Sequence, residues 1–152
     1  MERLKGSAGT EFGVPSAAAS AEDDPISSAD LKRLVGLLEA SWATFDAAAS
    51  KAKGVQLRLG PRGGGRQVPK MIGHVLEAEA AYVHQIGTQS PGAAAPMKQI
   101  RQAMVGAIGV LARGEELPEP NKVRRPWSPR YTVRRSAWHA LDHAWEIEDR
   151  ST

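Results

Sequence analysis

Four stretches of this chain repeat apolar residues at intervals of three and four positions, and glycine or proline stands at their boundaries. That spacing places the apolar side chains along one side of an α-helix. Residues 10–14 carry the one competing signal, since they suit a short strand or a turn. Because 152 residues are typical of a single domain, the sequence predicts an all-α protein that folds as a four-helix bundle.

Helix boundaries follow from capping residues, prolines and glycines. We expect Thr132 to cap the fourth helix, and we expect Val133, Ala137, Leu141 and Ala144 to line the apolar side of that helix. We also expect the short link between the second and third helices to make them antiparallel neighbours. A glycine-rich loop, residues 60–66, separates the first two helices. The predicted helices run from Ser28 to near Gly54, from Pro69 to Gly87, from Pro96 to Gly114, and from about Thr132 to about Glu148.

The N-terminal region shows no helical period. Residues 16–24 are mostly alanine, serine and acidic residues, a composition that does not build a packed core. We therefore predict a flexible N-terminal arm over residues 1–27 and a bundle domain over residues 28–150.

Cysteine is absent from the chain. This excludes disulfide bonds, cysteine–zinc sites and a catalytic thiol supplied by the protein itself. Apolar runs are much shorter than a membrane span, and no secretory leader is apparent. The sequence therefore predicts a cytoplasmic protein without membrane contact.

Histidines form the most specific chemical pattern. His139 and His143 are four residues apart, which places both imidazoles on one side of the fourth helix. His74 takes the corresponding position at the edge of the apolar stripe of the second helix, so three imidazoles can meet at one point. Three protein ligands with an open fourth position are typical of a catalytic zinc site. Ala140 stands where a zinc protease has its glutamate base, and His84 falls on the polar side as a surface residue.

Two acidic residues lie one turn from these histidines. Glu77 follows His74, and Glu146 follows His143. Either glutamate can orient a ligating imidazole or act as a general base. Each is equally compatible with a solvated acid on a helix surface, so they are candidate catalytic residues only.

Arginines supply most of the net charge of +3. Arg62 and Arg66 flank the glycine loop ahead of the second helix, and Arg134 and Arg135 begin the fourth. Both pairs are candidate anion sites; the alternatives are a simple turn and a solvated basic cluster. The loop lacks the ending of a P-loop. Nucleic acid is not an expected partner, because no aromatic-rich binding module accompanies the basic residues.

Several segments resemble the DinB/YfiT-like superfamily: GPRGGGR, GHVLEAEAAYVH around His74, and WSPRYTVRRSAWHALDHAWEIEDR around His139 and His143. The resemblance covers about residues 28–150. It implies an up-down-down-up bundle with a zinc or nickel ion on the three histidines. It also implies a low-molecular-weight thiol as cofactor, because members of that superfamily include S-transferases that use one. Similar sequences continue further before Glu2–Pro15, which implies that this chain lacks an N-terminal part.

Two hypotheses about function remain open from the sequence. The first is a metal-dependent hydrolase or thiol-dependent S-transferase that acts on a small, anionic molecule. The second is a non-enzymatic helical binding or structural module that meets an anionic partner through an arginine-rich cluster, the six basic residues between Lys122 and Arg135. A homodimer is compatible with both, since a narrow bundle leaves apolar surface uncovered.

Overall fold

The computed structural model describes residues 2–6, 17–60 and 63–151. Within these residues the only β-type contact is a single bridge between Thr88 and Pro120, so the all-helical prediction is confirmed. Residues 10–14, with their predicted strand or turn, lie outside the described part. Four α-helices form the fold: α1 (Ser28–Lys51), α2 (Val68–Gln85), α3 (Met97–Ala112) and α4 (Pro129–Arg150), preceded by a 3-10 helix at Ser20–Asp23.

The first three helices begin at or next to the predicted residues. The Ser27 hydroxyl accepts a hydrogen bond from the backbone nitrogen of Asp30 at 3.1 Å and caps α1. Pro69 lies in the first turn of α2, where its missing N–H costs nothing. Pro96 is the cap of α3 rather than its first helical residue.

The start of α4 differs from the prediction. Ser128 caps the helix, its hydroxyl accepting a hydrogen bond from the backbone nitrogen of Tyr131 at 3.3 Å, and Pro129 is the first helical residue. Thr132 is fully buried inside the first turn and donates from Oγ1 to the carbonyl of Ser128 at 2.9 Å. The prediction that Thr132 caps the helix is therefore wrong. Ser128–Pro129 is itself a favourable cap and first-turn pair, and it starts α4 one turn earlier.

Contacts at both ends show that α1 and α4 run in the same direction. Near their N-termini, the Arg130 guanidinium lies 3.5 Å from the carboxylate of Asp30. Near their C-termini, Ala48 and Ile147 line one cavity. These two helices pack against each other along their length, and the remaining helices lie alongside them.

The helices α2 and α3 run antiparallel to α1 and α4 and parallel to each other. Met97 and Ile72 line one cavity at the start of both helices, and Leu111 and Ile86 line another at the end. The prediction that α2 and α3 are antiparallel is therefore wrong. An extended link of 11 residues between Gln85 and Met97 reaches about 36 Å, whereas 18 helical residues span about 27 Å. The link is long enough to return across the bundle.

The core draws apolar side chains from all four helices, but α4 presents a different face from the predicted one. Val133 and Ala144 are buried as predicted, whereas Ala137 and Leu141 are only half-buried. The buried side of α4 instead includes several polar residues, and both histidines belong to it rather than to its edge. Its buried residues are Tyr131, Thr132, Val133, Ser136, His139, Ala140, His143, Ala144, Ile147 and Arg150.

Part of the predicted arm packs onto the bundle. The 3-10 helix Ser20–Asp23 lies against α4. Arg134 of α4 donates to the carboxylate of Glu22 at 2.9 Å and to the carbonyl of Ala17 at 2.8 Å. This segment has no apolar periodicity, and the ion pair together with the backbone contact holds it against α4 instead. Among the described residues, no helix has the length and apolar character needed to cross a bilayer.

Candidate metal centre

Three imidazoles converge between α2 and α4. The Nε2 atom of His139 lies 3.3 Å from Nε2 of His74 and 3.2 Å from Nε2 of His143. The candidate ligand atoms of all three residues lie within 4.8 Å of one another. Tetrahedral zinc with nitrogen ligands at about 2.0–2.1 Å holds those nitrogens about 3.3 Å apart. The observed spacing therefore fits three ligands of one divalent ion.

The packing of α2 against α4 explains why these residues meet. His139 and His143 are buried on adjacent turns of α4, each 7% exposed. His74 lies 65 residues before His139 and is half-buried on α2. The rings pack edge to face, with centroids separated by 4.6 to 5.2 Å. Two helices thus bring together histidines that are far apart in the sequence.

The surroundings keep two of these imidazoles neutral. Burial, with the neighbouring His143 and His74, lowers the pKa of His139 to about 3. Burial, followed by the positive charge of Arg66, also lowers the pKa of His74. Arg135 adds to the effect on His139. A neutral imidazole is the form that binds a metal, so both rings are ready for coordination at neutral pH.

Glu146 orients the third ring. Its Oε2 atom lies 3.0 Å from Nδ1 of His143. An ionised carboxylate can only accept a hydrogen bond, so Nδ1 carries the proton and the lone pair of Nε2 faces the other two imidazoles. A carboxylate behind a metal-binding histidine commonly fixes its tautomer in this way. Of the two glutamates considered from the sequence, Glu146 occupies the orienting position.

Sequence reasoning missed Arg150, which holds the other oxygen of that carboxylate. Its Nη1 donates to Oε1 of Glu146 at 2.6 Å. The same guanidinium donates to the carbonyl of Arg58 at 2.7 Å and to that of Arg66 at 2.9 Å. The four-residue spacing from Glu146 was the available signal, because a glutamate followed four positions later by arginine pairs on a helix.

Glu77 and His84 also lie on α2, and neither side chain is buried with the three imidazoles. Glu77 is exposed, and its charge raises the pKa of His74 as a smaller contribution than burial or Arg66. His84 is also exposed, as predicted, and its Nδ1 lies 3.1 Å from the side-chain amide of Asn121.

The arginines that were predicted to form anion sites have different surroundings in the structure. Arg62 lies outside the described residues. Arg66 is exposed, and its backbone carbonyl serves Arg150. Arg134 is paired with Glu22, so its predicted role as an anion site is not supported: the chain supplies its own carboxylate.

Arg135 keeps capacity to bind an anion. Its guanidinium lies over the ring of Trp138 at 4.8 Å and near that of Tyr82 at 5.7 Å. Its Nη1 atom is buried and has no hydrogen-bond partner among the described residues. A buried donor without an acceptor is costly. Arg135 precedes His139 by one turn, so an anion bound by this nitrogen would lie on the same side of α4 as the histidines.

Comparison with models of protein families, with curated proteins and with solved structures finds no match for this chain. The identification of a candidate metal centre therefore rests on the geometry of the three histidines and on the side chains that surround them.

Proposed function

We propose that this protein is a DinB-like metal-binding protein that holds one divalent ion, zinc or nickel, on His74, His139 and His143. The observation that carries the proposal is the spacing of the three Nε2 atoms: that of His139 lies 3.3 Å from that of His74 and 3.2 Å from that of His143. The directions of the four helices and the convergence of the histidines between α2 and α4 support the same assignment.

We further propose that the ion serves a reaction on a small molecule. A divalent ion with three imidazole ligands and an open position lowers the pKa of a bound water or thiol. This suits a hydrolase or an S-transferase. The chain contains no cysteine, so an S-transferase would take its thiol from a separate low-molecular-weight cofactor.

The protein's own residues have distinct tasks in this proposal. Glu146 holds the proton on Nδ1 of His143 and thereby aims Nε2 at the ion. Arg135 offers a buried nitrogen without an acceptor. Together with the charge of Arg66 it makes the surroundings of the site positive, which favours an anionic substrate.

The direct test is the metal content of the purified protein. Wild type and the variants His74→Ala, His139→Ala and His143→Ala are incubated with zinc or nickel, desalted and measured by elemental analysis. We expect about one ion per chain in wild type and loss of the ion in each variant. His84→Ala is the matched control, since it removes an exposed histidine from the same helix as His74. Wild type without zinc or nickel, or full metal content in His139→Ala, would refute the proposal.

A further inference from the structure

One buried guanidinium connects the candidate metal centre to the segment that precedes α2. We propose that Arg150 is a positioning residue for the metal centre: acting through Glu146, it holds the His143 ring in its metal-binding orientation. We also infer that Gly65 is required because Arg150 occupies the space of its missing side chain. Both statements rest on the proposed metal-binding function.

The first observation is the way the Glu146 carboxylate is held. One of its oxygens lies 3.0 Å from Nδ1 of His143, and the other accepts from Arg150 at 2.6 Å. Positions 143, 146 and 150 are three and four residues apart, so the three side chains share one side of α4. With both oxygens engaged, the carboxylate cannot rotate freely, and the tautomer of His143 is fixed.

The second observation is the anchoring of Arg150 itself. It is only 7% exposed, and it donates to the carbonyls of Arg58 and Arg66. The backbone nitrogen of Arg58 returns a hydrogen bond to the carbonyl of Arg150 at 2.9 Å. Arg66 lies eight residues before His74, the candidate metal ligand on α2. The guanidinium therefore joins the α4 side of the metal centre to the chain that leads into α2.

The third observation is the close approach of Gly65. Its φ is +128°, and a Cβ atom placed there would lie 2.6 Å from Cζ and Nη2 of Arg150. Any other residue would displace the guanidinium. The nearby Gly63 also has a positive φ, of +74°, but a Cβ there would meet nothing within 4 Å. Both glycines have a positive φ, which other residues rarely adopt, but only Gly65 lies against Arg150.

These contacts give the glycine-rich loop a role that its composition alone does not reveal. The loop places Gly65 and the carbonyl of Arg66 over a buried arginine, and the Glu146 carboxylate balances the charge of that arginine. Removing the guanidinium leaves Glu146 held by His143 alone among the described residues. Loss of a partner behind a metal ligand commonly weakens metal binding by about 10- to 100-fold.

The test is zinc affinity, measured by competition with a chromophoric chelator. We expect Arg150→Met and Glu146→Gln each to lower the affinity by about 10-fold or more. Since Arg150 acts through Glu146, the double variant should bind zinc about as tightly as Glu146→Gln alone. Arg150→Lys should recover part of the loss, because the ammonium keeps the charge but cannot make all the contacts of the guanidinium. Additive losses in the double variant would overturn the route through Glu146.

Two controls separate positioning from general destabilisation. Arg101→Met removes another arginine, whose side chain is 12% exposed and pairs with Glu79 at 3.0 Å, and it should lower the melting temperature without changing zinc affinity. Gly65→Ala should weaken zinc binding, whereas Gly63→Ala should not; this pair also provides the test if Arg150→Met does not fold. Equal zinc affinity in wild type and Gly65→Ala, or equal losses in the two alanine variants, would overturn the inference. Wild type that binds neither zinc nor nickel would instead refute the proposed function.

Discussion

His143 and Glu146 face each other one helical turn apart on α4, with 3.0 Å between Nδ1 and Oε2. This contact distinguishes two glutamates that the sequence leaves equivalent. Glu77 acts on His74 only through its charge, whereas Glu146 fixes the orientation of a candidate ligand. The difference leads to a direct comparison of the two acids.

Replacing Glu146 by alanine should weaken zinc binding by about 10- to 100-fold, because the His143 ring loses the acceptor that fixes its tautomer. Glu77→Ala should leave zinc affinity within about 2-fold of wild type, since that acid is exposed and its charge makes only a small contribution at His74. Isothermal titration with zinc checks both variants. Equal affinities in the two would show that Glu146 has no orienting role.

Metal binding should raise thermal stability. An ion that binds only the folded state at about 100 times its dissociation constant adds about 2.7 kcal/mol. For a chain of this size that corresponds to about 5–10 °C in melting temperature. Scanning calorimetry of chelator-treated protein, with and without zinc, measures the shift. His139→Ala should abolish it, and an unchanged shift in that variant would place the zinc elsewhere.

The metal-free protein should lose stability as the pH falls below about 6.5. Burial lowers the pKa of His139 to about 3 and also lowers that of His74. Between the folded and unfolded pKa values the unfolded chain binds more protons, so the free energy of unfolding decreases as the pH falls from about 6.5 towards 3. Urea unfolding at pH 7, 6 and 5, with chelator present, measures this slope. His139→Gln should show a shallower slope; an equal slope would contradict the assignment to His139.

The start of α4 can be tested through its cap. Ser128→Ala removes the hydroxyl that accepts from Tyr131 and should lower the free energy of unfolding by about 1 kcal/mol. Ser50→Ala is a matched control, because Ser50 is exposed near the end of α1 and should change stability by less than about 0.5 kcal/mol. Urea unfolding measures both. Equal stability of Ser128→Ala and wild type would contradict the capping role.

The sequence predicts the helices well because their stripes and boundaries are local features. Leu38, Phe45, Met71 and Ile108 all recur at helical spacing and are all fully buried. Helix directions are different, since the link between α2 and α3 limits how far the chain can travel but does not decide which way α3 runs. That choice depends on residues distant in sequence that come together in the fold, such as Leu111 and Ile86, which line one cavity.

The candidate site likewise combines local features, which the sequence reveals, with features that depend on residues distant in the chain, which it does not. The spacing of His139 and His143 is visible in the sequence, and it correctly indicates two imidazoles on one side of a helix. Their burial is not visible, because a search for apolar periodicity treats histidine, Ser136 and Arg150 as surface residues. Arg150 in particular looks like a solvated charge at a helix end, yet it is buried by carbonyl acceptors from residues 58 and 66.

The separation of 65 residues between His74 and His139 has a consequence for the chain as a whole. An ion shared by these two side chains acts as a reversible cross-link in a protein that has no cysteine for a permanent one. It closes a loop that contains all of α3 and both long connections, so opening either end of that loop in the folded protein requires loss of the ion. The ion would therefore tether α3, a helix that supplies none of its ligands.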